Sequence, residues 1–166
     1  MQSLNCGFVG RRIFSTAVLV LSAFAPVSWA ADASYDFLAC GHSKSVPLES
    51  SAEFTASGAE SWGIVASSTT KEWESATTRC VGYSRVMAGK FVGKGVCKWI
   101  FASGDTALGE WEVPATGEAS FTWLVGTGKL KGITGGGSFK YVTRGKPSEP
   151  GTSQWCRHDW GKYTLP

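Results

Sequence analysis

The sequence predicts an all-β domain of short antiparallel strands, folded as a sandwich or a closed barrel and pinned by two disulfides. Three observations carry that expectation. Apolar and aromatic residues come in short runs parted by glycine-bearing turns, and no helical period lasts. Glycine is dense: of 21 in the chain, all but Gly7 and Gly10 fall among the 136 residues from Ala31 to Pro166. That density suits tight turns and strongly bent strands. Four cysteines, Cys40, Cys80, Cys97 and Cys156, occupy the same stretch, and an even count in an exported chain reads as a disulfide framework.

Export is read from the first thirty residues. Arg11 and Arg12 precede an apolar run from Ile13 to Phe24, Pro26 breaks it, and Ser28-Trp29-Ala30 offers small residues at the two positions a signal peptidase reads. Residues 1–30 are therefore expected to be a signal peptide cleaved after Ala30, leaving residues 31–166 as one domain in the periplasm or outside the cell. Cleavage removes two arginines and no acid, so the net charge falls from +3 to +1. A nearly neutral chain has no electrostatic reason to seek nucleic acid. No second run of membrane length follows, so no anchor is expected after cleavage. Cys-x-x-Cys and His-x-x-x-His spacings are missing, which argues against zinc, and no cofactor is expected.

The elements follow in chain order. Pro47 to Ala56 reads as a strand on the strength of Phe54 and Thr55. Ser61 to Ser67, Thr77 to Met87, Phe91 to Ala102, Thr106 to Val113, Ser120 to Val125, Ser138 to Thr143 and Gln154 to Leu165 read as further strands. Met87-Ala88-Gly89-Lys90 is a compact turn. With Ala88 and Gly89 at its centre, Cys80 lies opposite Cys97, at a separation a disulfide can span. That pairing leaves Cys40 for Cys156, tying the N-terminal segment to the last strand. The same register puts Cys80, Gly82, Ser84, Val86, Phe91, Gly93, Gly95, Cys97, Trp99 and Phe101 on an inner face. Arg79, Val81, Tyr83, Arg85, Lys90, Lys94 and Lys98 fall on the outer one. Gly82, Ser84, Gly93 and Gly95 fill almost no volume, so either the lumen is open beside them or aromatics from the opposite wall fill it.

Gly126-Thr127-Gly128-Lys129 invites comparison with a phosphate-binding loop. A Walker loop needs Ser or Thr after Gly-Lys and a glycine five places before its second glycine. Leu130 and Trp123 stand there instead, so the segment reads as a turn between strands. The run Gly126 to Gly136 resembles a recurring loop of exported bacterial proteins of unknown function, similar in organisation to the allene oxide cyclase and dirigent barrels. Cys80-Val81-Gly82, Gly95-Val96-Cys97 and Gly104-Asp105 with Gly109-Glu110-Trp111 resemble the preceding part of that pattern. The resemblance spans roughly residues 75 to 145. It implies a closed, calycin-like antiparallel barrel of about eight strands. Plant members of the class cyclise or orient reactive small molecules; their catalytic residues match no motif here.

Enzyme signatures are weak. Gly82-Tyr83-Ser84-Arg85-Val86 lacks the last glycine of a nucleophile elbow and sits mid-strand. His158 and Asp159 are neighbours in a strand and point to opposite faces; His42 is expected in a loop. Glu110 and Glu112 flank Trp111 as simple alternation produces. Tryptophans are the most suggestive group, and Trp99, Trp111 and Trp123 fall on three successive strands where they can share a wall. The candidate ligand-binding residues are Trp99, Trp111, Trp123, Ser84, Arg85 and Glu110, with a small apolar or aromatic molecule as the expected partner. The leading reading is a binding barrel without turnover. Two others stand beside it: a cyclase or isomerase, favoured by a polar group buried in the lumen, and a filled barrel that acts through surface loops, among them Ser50 to Thr78 and Lys146 to Ser153.

Overall fold

A computed structural model describes residues 30–166. The expected leader lies outside the described residues apart from Ala30. Eight strands form one closed antiparallel barrel in which every strand pairs with its neighbours in sequence and the last pairs with the first. They are β1 (Ala31–Ser50), β2 (Phe54–Ser68), β3 (Thr77–Met87), β4 (Lys90–Ile100), β5 (Thr106–Val113), β6 (Ala119–Gly126), β7 (Thr134–Gly145) and β8 (Thr152–Leu165). Closure removes every free sheet edge. The barrel expected from the resemblance is therefore present, and the sandwich is not.

The β3–β4 register holds as read. Cys80 faces Cys97 and the two are bonded, and Cys40 faces Cys156 across the β1–β8 seam and is bonded to it. Disulfides persist in oxidising compartments, so this framework fits an extracellular setting. One bridge lies inside, with Cys97 wholly buried; the other lies on the outer face, Cys40 being flanked by inward Ala39 and Gly41. The β3–β4 turn has positive φ at both central residues, 50° at Ala88 and 72° at Gly89, the type I′ geometry that suits a two-residue hairpin. An alanine in the left-handed region carries a steric cost. Ala88→Asn is expected to stabilise the protein by about 0.5–1 kcal/mol, read as a higher urea midpoint at unchanged slope.

The N-terminal third departs from expectation. β1 runs unbroken for 20 residues, Ala31–Ser50, and the chain turns at 51–53, inside the segment Pro47 to Ala56 that the sequence reads as strand. His42 lies in β1, not in a loop, and its ring stacks on Trp62 at 5.2 Å. The Ser/Thr-rich stretch Ser50 to Thr78 is mostly β2 plus a short 3-10 turn, η1 (Lys71–Trp73). These strands hide because their inward positions change character along their length. On β1, Tyr35, Phe37 and Ala39 are buried and apolar, but the next inward residues are Gly41, Ser43 and Ser45.

That change divides the lumen in two. At the end holding η1, Ala31 and Leu165, Trp73 reaches inward and is 1% exposed. Its ring meets Phe37 at 4.8 Å, Phe101 at 4.8 Å, Tyr35 at 5.2 Å, Trp123 at 5.5 Å and Trp99 at 5.6 Å. Offset and edge-on contacts of this kind add to burial of the rings, and they plug this end. At the other end, ringed by the four hairpin turns at 51–53, 88–89, 114–118 and 146–151, the interior stays open.

Candidate functional site

The open half is a cavity of about 160 Å³. One side is serine: Ser43, Ser61 and Ser84 line it. Their hydroxyls are mostly engaged with one another, Ser43 with Ser61 at 2.7 Å and Ser84 with Ser57 at 3.1 Å. Trp155 Nε1 donates to Ser43 Oγ at 2.8 Å. The other side is aromatic, with Phe91, Trp111, Phe139, Tyr141 and Trp155. Phe91, assigned to the inner face, sits at the rim and is 46% exposed.

The small inner residues of β3 and β4 have a specific use. A Cβ at Gly82 would lie 2.5 Å from Trp111 Cζ2, and one at Gly95 would lie 2.8 Å from Trp111 Cε2. The glycines are the socket for one indole supplied by the adjacent strand β5. So the lumen is open beside Ser84, while the ring that covers the glycines comes from the adjacent strand and not from the opposite wall.

The floor of the cavity carries charge. Arg157 lines it and is only 5% exposed, with Asp159 4% exposed. Both project inward from β8, on the same parity as Trp155 and Tyr163. Arg157 Nε donates to Asp159 Oδ2 at 2.8 Å, and Arg157 Nη2 is buried without an acceptor. The guanidinium lies over the Phe139 ring at 4.5 Å, which holds it against an apolar surface. Burial pushes the Asp159 carboxyl up from its ordinary value, and the charge and hydrogen bond of Arg157 offset part of that rise. Beyond the pair stands Tyr35, whose hydroxyl is raised well above its ordinary value, first by burial and then by the charge of Asp159. It stays a neutral phenol. A Cβ at Gly137 or Gly161 would lie 2.6 Å from Tyr35 Oη, so this side chain also occupies a glycine socket.

The candidate residues named from sequence separate into three groups. Ser84 and Trp111 line the cavity. Trp99 and Trp123 are buried in the plugged end, packed on the same inner face as Trp111 but not lining the cavity. Arg85 and Glu110 lie on the outer face and do not enter the lumen: Arg85 is exposed, and Glu110 pairs with Lys94, holding the Lys94 ammonium above its ordinary value by hydrogen bond and charge. Parity decides this, because Gly109 and Trp111 point inward and Glu110 between them cannot. Arg157 is not among the candidates read from sequence, and Asp159 enters there only as the neighbour of His158.

The glycine loop is a turn, as read. Its 3-10 segment η2 (Gly128–Leu130) follows β6, and Asp105 Oδ2 accepts from Lys129 N at 3.4 Å. A carboxylate thus stands at the backbone N–H of this loop, where a phosphate would be repelled. Gly128 has φ 54°, and a Cβ on it would lie 1.7 Å from Asp105 Oδ1. Gly128→Ala is expected to cost about 1–3 kcal/mol, measured by thermal or urea unfolding, with the cavity unaltered.

Geometry defines the class of this protein: an eight-stranded antiparallel barrel whose lumen is closed toward one end by buried aromatics and holds a cavity toward the other. Among solved structures its fold is similar to that of the pterocarpan synthase dirigent protein GePTS1, with a TM-score of 0.52, 9% identity, and coverage of 82% of this chain and 92% of that one. The pterocarpan synthase dirigent protein PsPTS1 gives a TM-score of 0.49 at 9% identity, covering 83% of this chain and 96% of that one. No family model and no curated protein sequence matches. The chain therefore has a dirigent-type barrel fold.

Proposed function

We propose that this is an exported binding barrel that holds one small molecule, with an apolar or aromatic body, in the hollow half of its lumen and does not turn it over. The observation that carries the reading is the cavity itself, walled on one side by Trp111, Trp155 and Tyr141. Concave sites with mostly aromatic walls and a few placed polar groups are the usual form of small-molecule pockets. The filled-barrel reading loses its ground, since only one end is filled. Export rests on the leader pattern of residues 1–30 and on two disulfides; relation to exported bacterial barrels of the allene oxide cyclase kind rests on the loop resemblance.

Native mass spectrometry of protein purified from its own compartment tests the proposal, together with tryptophan emission during titration with apolar aromatic probes. A bound mass, or a saturable emission change from Trp111 and Trp155, is the expected result. No carried ligand and an emission indifferent to every probe would remove the proposal. A second reading, a cyclase or isomerase, is favoured by one observation: the charge pair Arg157–Asp159 is buried against the cavity. Turnover of a carried ligand would move the assignment there.

A further inference from the structure

We infer that the molecule held in the cavity is an aromatic monoanion whose carboxylate sits on the guanidinium of Arg157 while its ring lies against the wall of Trp111 and Trp155. This rests on the binding-barrel reading and narrows it. The first support is an unspent donor. Arginine has five N–H groups, Asp159 takes the one on Nε, and Nη2 is buried with no acceptor among the described residues. The guanidinium has further N–H groups that Asp159 does not take, and the Arg157 side chain lines the cavity, where a ligand carboxylate can accept from them. Planar guanidinium and carboxylate match in a fork that a neutral group does not reproduce.

The second support is the sign of the wall. The cavity lining includes two arginines, Arg157 at the floor and Arg144 nearer the mouth, and no acidic residue. Asp159 is not part of the lining; it stands behind Arg157 and fixes its orientation through Nε. It acts as a positioning residue. Arg144 lies over the Tyr141 ring at 4.0 Å, so its charge is held at the wall. Two guanidinium charges against one carboxylate leave a surplus of one, which a monoanion neutralises. The third support is shape. The indoles of Trp111 and Trp155 in the lining offer flat apolar faces that suit an aromatic ring.

The test compares phenylacetate with phenylacetamide, its neutral isostere, by calorimetric titration of the disulfide-intact protein in a carboxylate-free buffer. The acid is expected to bind at least about tenfold more tightly than the amide. In the double variant Arg157→Leu/Asp159→Leu, the preference for the acid over the amide is expected to vanish. Arg157→Lys keeps Asp159 paired and serves if the double variant does not fold; it is expected to retain only part of the preference. Equal binding of acid and amide by the unaltered protein overturns this inference and leaves the binding-barrel reading standing. Persistence of the preference without the arginine also overturns it. If neither compound binds and the aromatic probes fail as well, both readings fall together.

Discussion

Replacing Arg157 alone with leucine is expected to destabilise the barrel by about 3–5 kcal/mol. The cause is not the loss of an attractive contact as such. Asp159 is 4% exposed, and its one charged partner within reach is the guanidinium at 2.8 Å. Removal of the arginine strands a carboxylate away from water, between Tyr35 and the cavity floor. The group must then take up a proton or draw water into the lumen, and either response costs stability. Replacing both residues with leucine leaves no such charge, and a well-packed apolar pair is often as stable as the ion pair it replaces. The double variant is therefore expected to recover most of the loss. Chemical unfolding of the two variants and the parent measures the difference. A double variant as unstable as the single one would show that the pair contributes chiefly through its attraction.

The second large effect concerns the seam where the barrel closes. Cys40 and Cys156 are 116 residues apart in sequence, against 17 for Cys80 and Cys97. On the chain-entropy account, the longer loop confers about 5 kcal/mol and the shorter about 3 kcal/mol. Replacing Cys40 and Cys156 with alanine is expected to be the more damaging change, lowering the denaturant midpoint further than the same treatment of Cys80 and Cys97. Position opposes this order, because Cys97 is wholly buried while Cys40 and Cys156 are only half-buried. A larger loss from the inner bridge would show that packing within the lumen outweighs restriction of the unfolded chain.

How much of this could be read from residues alone depended on what each strand faces. β3 and β4 announced their register through one turn, Ala88-Gly89, and their parity followed without error from Cys80 to Cys97. The inward parity of the plugged end is also legible, because Trp99, Phe101, Phe121 and Trp123 make the alternation of a half-buried strand, but not that they close the lumen around Trp73. The hollow end is not legible. Where a strand faces open space, its inward residues are Ser43, Ser45, Ser61 or Arg157, and alternation between apolar and polar disappears. The cavity erased the pattern by which β1 and the start of β2 would have been found. A signal for the charge pair did exist. Trp155, Arg157, Asp159 and Tyr163 share one parity on β8, and two large aromatics bracketing two charges on a single face mark those charges as enclosed. Adjacent His158 and Asp159 are separated by parity, whereas Arg157, two residues before Asp159, shares its face.

The plug built around Trp73 also sets the direction of traffic. A vessel stopped at its base opens at its lip, so under the proposed binding role the four hairpins there govern how fast a guest comes and goes, while the walls below govern how tightly it stays. Both ends of the strand sequence, Ala31 and Leu165, are paired beside the stopper. A carrier or a sensor surface joined at Pro166 stands on the far side from the lip and leaves the passage clear.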